Sequence, residues 1–241
     1  MFKIRAAGIL MQINNRYEYI RDKCADYIVY EDNEPDIIME PSEERIHFSI
    51  DYKWRYDQER ISVPEAEYDA APYTIYHLLP RFDAFWLHAA VVEMDGKAYA
   101  FSAAPGCGKS THVNLWKKVF GDKVRIINGD NPIIRLHDGV FYAYGTPFCG
   151  KEGYQVNTGV PLKGICFLKR SSENRIQRAE PISAYIRLLR DNYNITPETQ
   201  NMHMKLYEQL IEQVPVYLLQ CNMKEDAALV AWEGMKCDGM S

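Results

Sequence analysis

A short apolar run that leads through a turn of small residues into Gly-Lys-Ser-Thr constrains this chain more than any other feature. The apolar run is Ala98–Phe101, the turn covers residues 102–108, and an amphipathic stretch begins at Lys109. This order is typical of a phosphate-binding P-loop, in which a buried strand is joined to the amino end of a helix. We therefore predict a strand, a loop and a helix in succession over this segment.

Each residue type in the turn has a physical role toward phosphate. Gly106 and Gly108 allow backbone angles that other residues avoid and bring N–H groups close to an anion. The amino end of the following helix adds the positive end of its dipole. Lys109 reaches the outer phosphates, and the Ser110 hydroxyl is placed to ligate Mg²⁺. The predicted nucleotide contacts are Ala104, Pro105, Gly106, Cys107, Gly108, Lys109, Ser110 and Thr111.

The motif departs from the full pattern at its first position, where Ala103 stands in place of glycine. A chance Gly-Lys-Ser sequence in a surface turn is the alternative, although it would not also bring a strand before the turn and a helix after it. The chain carries no Asn-Lys-x-Asp run of the kind that reads guanine. The expected ligands are therefore ATP and Mg²⁺.

Composition excludes several classes of function. The net charge is −5 and no basic cluster is present, which argues against nucleic acid as the main partner. We find neither an apolar run of membrane-spanning length nor a signal-peptide pattern, so no membrane partner is expected. The six cysteines form no Cys-x-x-Cys pair, which favours reduced thiols and a cytoplasmic location.

The first part of the chain, residues 1–71, is predicted to be a small α+β leader. Strand patterns lie at Phe2–Ile13, Tyr27–Tyr30, Asp36–Met39 and Arg45–Ile50, and a helix pattern at Tyr17–Ala25. The second part, residues 72–241, is predicted to be the catalytic domain, and Pro72–Phe82 is expected to be a helix that leads into it.

The catalytic part alternates strand and helix patterns, and we assign it to the α/β class with a mixed sheet and flanking helices. Asp95-Gly96 and Asp138-Gly139 are favoured hairpin turns between predicted strands. Predicted strands lie at Phe85–Val92, Lys97–Phe101, Val124–Ile127, Val140–Tyr144, Leu162–Leu168 and Val216–Leu219. Two helices follow the pattern of an apolar face, with Ile182, Ile186 and Leu189 on one and Met202, Leu206 and Leu210 on the other. A last helix runs from Glu225 to about Met235.

Asp130 is the acid best placed to serve phosphoryl transfer. It follows the strand Val124–Ile127, which in a P-loop sheet can neighbour the strand that carries the loop, and a carboxylate there can reach Mg²⁺. The alternative is an aspartate that caps a turn in Asn-Gly-Asp-Asn-Pro.

Three more side chains are candidates. His88 is flanked by apolar residues on the predicted strand Phe85–Val92. It is either a core histidine or, if the end of that strand faces the phosphates, a partner of the transferred group or of the carboxylate base. The loop of residues 145–153, rich in glycine, carries Lys151, which can pair with phosphate, and Glu152, which can bind metal or the acceptor.

Several segments together resemble the HPr kinase-like group of P-loop proteins, whose core is similar to that of ATP-dependent phosphoenolpyruvate carboxykinase. They are Leu-His-Ala-Ala at 87–90, Phe-Ser-Ala-Ala-Pro-Gly-Cys-Gly-Lys-Ser-Thr at 101–111, Asn-Gly-Asp-Asn-Pro at 128–132, Gly-Thr-Pro-Phe-Cys-Gly-Lys-Glu at 145–152 and the stretches at 161–168 and 221–235. The likeness covers roughly residues 85–235 and is nearest to a compact bacterial branch of the group.

The resemblance implies transfer of the ATP γ-phosphate to a hydroxyl group, typically a serine on a protein or peptide, or a small molecule. Lys109 would then hold phosphate, Ser110 metal, His88 would adjoin the transferred group and Asp130 would be one of two paired acids. This sequence departs from the family at the second acid, because Gly129 or Asn131 fills that place. We also find no signature for docking the HPr protein.

Two functions therefore stay open on the sequence. One is a kinase that acts on a small molecule, peptide or protein, with Asp130, His88 and Glu152 as catalytic residues and Ser110 and Asp130 as metal ligands. The other is a nucleotide-binding module that has lost catalysis and serves as a sensor or scaffold. The acceptor and the oligomeric state are left open by the sequence.

Overall fold

Two β-sheets organise the described part of the chain, which in this computed structural model comprises residues 1–104, 106–191 and 196–236. The first sheet has the strand order β3-β1-β2-β4, with β1 at Phe2–Ala6, β2 at Ile9–Ile13, β3 at Ile28–Val29 and β4 at Ile37–Met39. Helices α1 (Glu18–Lys23), α2 (Glu43–Tyr52) and α3 (Val63–Ala70) complete this region. These elements all lie within residues 1–71, the segment that we predict to be an α+β leader.

The second sheet carries the predicted phosphate-binding segment. Its strands are β5 (Ala84–Trp86), β6 (Ala89–Met94), β7 (Lys97–Ser102), β8 (Val124–Asn128), β9 (Ile133–His137), β10 (Val140–Tyr144), β11 (Gly159–Arg170), β12 (Arg175–Arg178) and β13 (Val216–Cys221). The order is β5-β9-β10-β11-β7-β6-β8, and β13 pairs with both β11 and β12. The fold is thus mixed α/β, with a curled mixed sheet and flanking helices.

Strand direction brings several chain segments to one edge of this sheet. Strands β7, β11 and β13 are parallel, and β6 lies antiparallel between β7 and β8. The carboxyl ends of β7, β8, β11 and β13 therefore meet at the same edge, where β6 begins. We call it the carboxyl edge. Loops at such an edge are the usual place for ligands in open α/β sheets.

Helices cover both faces of the sheet. On one face α4 (Lys109–Phe120) and α7 (Asp226–Lys236) bury a cluster around Trp116, Phe101 and Ala228. On the other face α5 (Pro181–Asp191) and α6 (Pro197–Gln213) bury a cluster that includes Leu188 and Leu206. Apolar burial on both sides of a strand is the main driving force for such a three-layer arrangement.

The predicted buried face of α5 is wrong at two of its three residues, and only Leu189 is partly buried against the core cluster. Ile182 and Ile186 are exposed, whereas Ala184 and Leu188 are buried against the sheet. The buried positions are again four residues apart, but they lie on a neighbouring stripe of the helix. On α6 the prediction holds for Leu206 and Leu210, which are buried, while Met202 is exposed.

Two predictions in the leader region are also corrected. Arg45–Ile50 lies inside helix α2 and is not a strand, because Ser42 caps the helix by accepting from the Arg45 N–H, and Ile46 is buried on its inner face. Pro72–Phe82 is not one helix. It contains two 3₁₀ turns, at Ala71–Thr74 and Leu79–Phe82, each with a proline in its first turn.

Two long strand predictions are divided in the structure. Phe2–Ile13 is a hairpin whose turn is Ala7-Gly8, both at positive φ. Phe85–Val92 breaks at Leu87-His88 into β5, which pairs with β9, and β6, which pairs with β7 and β8. The hairpin turns at Asp95-Gly96 and Asp138-Gly139 are confirmed.

The leader shares a hydrophobic core with later residues. Ile4 and Met11 of the first sheet pack in one buried cluster with Trp86 and Phe148 of the second part. A division into domains at residue 71 stays a prediction. Across the described helices, we find none with the length and apolar character that a membrane crossing requires.

Candidate active site

The segment between β7 and α4 has a backbone suited to an anion. Gly106 and Gly108 have φ angles of 71° and 103°, in the left-handed region that glycine favours. Gly108 is also the N-cap of α4 and brings no side chain to cap the first turn. We refer to residues 103–108 as the 103–108 loop.

Three predicted site residues meet beside this loop at the carboxyl edge. The Lys109 Nζ atom lies 2.7 Å from His88 Nε2 and 3.6 Å from Asp130 Oδ1. His88 Nε2 lies 3.1 Å from the same Oδ1 atom. The Lys109 side chain is only 10% exposed, while those of His88 and Asp130 are about one third exposed, at 29% and 32%. The structure therefore brings a cation, an imidazole and a carboxylate into mutual contact.

A single imidazole nitrogen serves both neighbours. His88 Nε2 accepts from Lys109 in one tautomer and donates to Asp130 in the other, so the two contacts compete for that atom. Burial alone would raise the pKa of Asp130. The hydrogen bonds and electrostatic attraction that His88 and Lys109 offer to the carboxylate outweigh burial and lower the pKa below its ordinary value. Asp130 is thus an ionised carboxylate at neutral pH.

A buried asparagine fixes the position of Asp130. Asn128 Oδ1 accepts from the N–H groups of Asp130 and Asn131, at 2.9 and 2.8 Å, which is an Asx turn. Its Nδ2 atom donates to Thr146, at 3.0 Å to the backbone oxygen and 3.2 Å to Oγ1. Asn131 Nδ2 donates to Asp130 Oδ2 at 3.0 Å. The Asn-Gly-Asp-Asn-Pro pattern predicts this turn but does not mark Asn128 or Thr146 as its supports.

The sheet order explains why His88 reaches both partners. We expected the strand before Asp130 to neighbour the loop-bearing strand, but β6 lies between β7 and β8. Because β6 begins at the carboxyl edge, the residue before it stands between Lys109 and Asp130. The backbone agrees, since the Ala89 N–H donates to the Asp130 carbonyl oxygen at 2.9 Å.

The 145–153 loop packs against Asp130. A Cβ atom placed on Gly150 would lie 3.2 Å from Asp130 Cβ and 3.8 Å from Glu152 Oε2, so glycine permits this close approach. Glu152 is exposed near Asp130, whereas the Lys151 Nζ atom lies 2.6 Å from Glu59 Oε2 of the leader. Lys151 is therefore engaged with the leader and not with the Lys109 group.

The remaining predicted contacts line the 103–108 loop and the start of α4. Ala104, Gly106 and Thr111 are exposed, while Cys107, Gly108 and Ser110 are partly buried; Pro105 lies outside the described residues. Arg170, at the end of β11, donates to the Gly106 carbonyl oxygen, a contact that sequence reasoning missed. It holds the loop from the neighbouring strand.

Hard oxygen ligands for Mg²⁺ are present but few. Within the described ranges, no group of three His, Cys, Asp or Glu side chains is arranged to hold a metal ion. Mg²⁺ commonly takes one or two protein oxygens and completes its shell with phosphate and water. The hydroxyl of Ser110 and the partly exposed carboxylate of Asp130 fit that smaller donor set.

Leader residues that no motif marked also reach this region. The Tyr68 hydroxyl donates to the Pro147 carbonyl oxygen at 2.7 Å and accepts from the Cys149 N–H at 3.3 Å. The next residue, Asp69, has its Oδ2 atom 4.0 Å from Lys53 Nζ. In the sequence, Tyr68 and Asp69 are an aromatic residue followed by an acid, a pattern that does not indicate contacts with distant residues.

Comparisons with known proteins show likeness to a protein family and to distant solved structures. A family model described as SynChlorMet cassette protein ScmC matches residues 66–227. The HPr(Ser) kinase/phosphatase from Coxiella burnetii is 8% identical, and the match covers 60% of this chain and 90% of that one with a TM-score of 0.36. No curated protein matches the chain.

Proposed function

The chain belongs to the family of the SynChlorMet cassette protein ScmC, and we propose that it is an ATP- and Mg²⁺-dependent kinase. In this proposal the γ-phosphate passes to a serine-like hydroxyl of a small molecule, peptide or protein. One observation carries it: the ammonium of Lys109 touches His88 and Asp130 where a glycine loop opens at the carboxyl edge.

The chain's own residues have distinct parts in this reaction. The 103–108 loop and the amino end of α4 hold the phosphates as a P-loop does, and Lys109 neutralises charge on the outer phosphates. When Lys109 turns to the phosphates, His88 Nε2–H donates to Asp130 and keeps the imidazole beside the transferred group. Mg²⁺, held by Ser110 and Asp130, would supply further neutralisation of the phosphate charge.

Phosphoryl transfer is a nucleophilic substitution at the γ-phosphorus. The acceptor oxygen forms a bond to the γ-phosphorus while the bond from that phosphorus to the β–γ bridging oxygen breaks. ADP leaves with the electron pair, and the hydroxyl proton passes to a carboxylate. Asp130 and Glu152 are the carboxylates at this edge that the sequence nominates. The protein would work in the cytoplasm, with residues 72–241 as its catalytic part.

The second candidate function is a nucleotide-binding module without catalysis. It is favoured by the two residues next to Asp130, neither of which is an acid. A Cβ atom on Gly129 would lie 2.5 Å from the Cys149 carbonyl oxygen, so the backbone leaves no room for a second acid there. Asn131 offers an amide, which donates to Asp130 Oδ2 at 3.0 Å and cannot take a proton. Such a module would bind ATP without transfer.

Calorimetry and product analysis on the full chain separate the two candidates. Binding of ATP with Mg²⁺ is measured first, and release of ADP with labelled serine-containing peptides as acceptors is measured second. Lys109→Ala is expected to weaken ATP binding at least tenfold and to abolish transfer. Lys118→Ala is the matched control, because Lys118 lies on the same helix, 68% exposed, with Nζ 2.6 Å from Glu225 Oε1.

Each outcome decides between the candidates. Binding and transfer that both fall in Lys109→Ala, but not in the control, support the kinase. Binding without ADP release or labelled product supports the inactive module. A chain that binds neither ATP nor pyrophosphate contradicts both.

A further inference from the structure

A small pocket lies on the sheet face that α5 and α6 cover, towards the carboxyl ends of β11 and β13. Its volume is about 190 Å³. Pockets for drug-sized ligands usually measure about 300–1,000 Å³, so this one suits a smaller molecule. Phe167 and Leu218, which belong to the hydrophobic cluster beneath α5 and α6, form its apolar floor.

Strand register places two cations of this pocket in one row. Gln220 of β13 pairs with Lys169 of β11 on one side and with Arg175 of β12 on the other. Residues paired directly across neighbouring strands share a face of the sheet, and all three of these residues line the pocket. Because neighbouring strands lie about 4.8 Å apart, the Cα atoms of Lys169 and Arg175 are roughly 10 Å apart. An anion between the two long side chains can therefore contact both.

A third cation reaches the pocket from helix α5. The Arg187 guanidinium carbon lies 5.3 Å from the centroid of the Phe167 ring, and both residues line the pocket. Stacking on an aromatic ring orients the planar guanidinium, whose N–H groups then donate at its edges.

The positive charge of the pocket is not balanced by acids. Lys169, Arg175 and Arg187 are the charged residues that line it, and no aspartate or glutamate is among the lining residues. In the part of the chain that the structure describes, none of the three forms an ion pair with a carboxylate. Three like charges around one cavity repel each other, and an anion inside it would relieve this repulsion.

The pocket is separate from the proposed nucleotide site. Successive residues of a strand point to opposite faces of the sheet. Lys169 lines the pocket, whereas the next residue, Arg170, donates to the Gly106 carbonyl oxygen in the 103–108 loop. An anion in the pocket would therefore bind without occupying that loop.

We propose that this pocket binds the phosphate group of a small phosphate ester. Such a group carries a charge of about −1.5 to −2 and three acceptor oxygens, which suits one ammonium and two guanidinium groups. The Gln220 amide, between Lys169 and Arg175, adds a neutral donor. The carbon part of the ester would lie on Phe167 and Leu218. This binding goes beyond the kinase function and does not depend on it.

Calorimetric titration of the full chain with phenyl phosphate tests the proposal, at low ionic strength where charges are weakly screened. Arg187→Ala should weaken binding about tenfold or more, because it removes a charge-assisted contact. Arg175→Ala, at an exposed strand position, is a second variant with the same expected loss. Arg190→Ala is the matched control, since Arg190 is an exposed arginine on the same helix that does not line the pocket. Inorganic phosphate should bind more weakly than phenyl phosphate, because it leaves the apolar floor uncovered.

Lys109→Ala distinguishes this pocket from the 103–108 loop, and phenyl phosphate should still bind to this variant. Binding that is lost in Lys109→Ala but kept in Arg187→Ala would place the ligand at the loop and overturn the proposal. A wild-type chain that does not bind phenyl phosphate would overturn it as well, and so would equal losses in Arg187→Ala and Arg190→Ala. Inorganic phosphate bound as tightly as phenyl phosphate would overturn the assignment to an ester. None of these results bears on whether the chain transfers phosphate.

Discussion

The carboxyl edge around Lys109 and the part of helix α3 around Asp69 shift the pKa of a carboxylate in opposite directions. We call the second region the leader face. At the edge, Asp130 contacts a lysine and a histidine within 3.6 Å, and its pKa is lowered. On the leader face, Asp69 has its cation at 4.0 Å, and burial raises its pKa to about 6. The difference teaches that partners matter more than burial: two nearby polar groups keep Asp130 charged at neutral pH, whereas burial brings the pKa of Asp69 closer to neutrality.

The largest effect we expect comes from removing the charge at the edge. Asp130→Asn takes away the anion that Lys109 and His88 both contact, so the transfer rate should fall about 100- to 1000-fold. Single-turnover kinetics measure it. Asp122→Asn is the control, an exposed aspartate beside Lys117. A fall no larger than that of Asp122→Asn would show that transfer does not depend on the Asp130 charge.

The edge region was largely predictable from the sequence because its signals are local. A strand, a glycine turn and Lys109 are adjacent in the chain, and their geometry follows from backbone rules that act within a few residues. Asp130 was found for the same reason, since it follows a strand in a turn-forming sequence. The contact of His88 with both needed the sheet order, which local patterns did not specify correctly.

The leader face was not predictable by such reasoning. The hydroxyl of Tyr68 meets the backbone of Cys149 across 81 positions of sequence, and no spacing rule links the two. Helix α2 was mistaken for a strand because its apolar positions are sparse, and its Ser42 cap carried the deciding signal. Asp69 is one acid among many, and only tertiary packing sets it apart.

A second expected effect is an acid sensitivity that a buried histidine beside the carboxyl edge adds to the folded chain. His112 on α4 is buried, its Nε2 atom accepts from Trp116 Nε1, and burial lowers its pKa to about 3. The unfolded chain takes up a proton near 6.5. It thus binds more protons than the folded chain between these values, so stability is lost as pH falls, by up to about 1.4 kcal/mol per pH unit.

Urea unfolding at several pH values between 7 and 4 measures this slope. In His112→Gln the part of the pH dependence of the unfolding free energy that comes from His112 should disappear. His137→Gln changes an exposed histidine and should keep the wild-type pH dependence. An unchanged slope in His112→Gln would mean that the acid sensitivity has its source elsewhere, and the contrast with the leader face would lose this support.

Gly129→Ala probes the point where the two regions meet. Its Cβ would lie 2.5 Å from the Cys149 carbonyl oxygen, so the 145–153 loop must move away from Asp130. We expect the free energy of unfolding to fall by about 2–3 kcal/mol. Gly139→Ala is the control, because a Cβ atom there would point into open space. Its only expected cost in stability is the strain of an alanine at a φ of 77°, about 1 kcal/mol. Equal losses would show that the loop is not tightly held.

The smallest effect should have the opposite sign on the leader face. Because the pKa of Asp69 is raised from 3.8 to about 6, the folded chain binds more protons than the unfolded chain between these values. Stability is therefore lost as pH rises through this window.

Asp69→Asn removes this loss and should be more stable than the wild type at pH 7.5 by about 1 kcal/mol. The figure is small because water screens a side chain that is one third exposed. Thermal unfolding at pH 4.5 and 7.5 measures it, with Asp51→Asn as the unaffected control. A variant less stable than the wild type at pH 7.5 would make the Asp69 carboxylate a structural partner of Lys53. A variant that is more stable and less active would instead indicate a charge kept for function at a cost in stability.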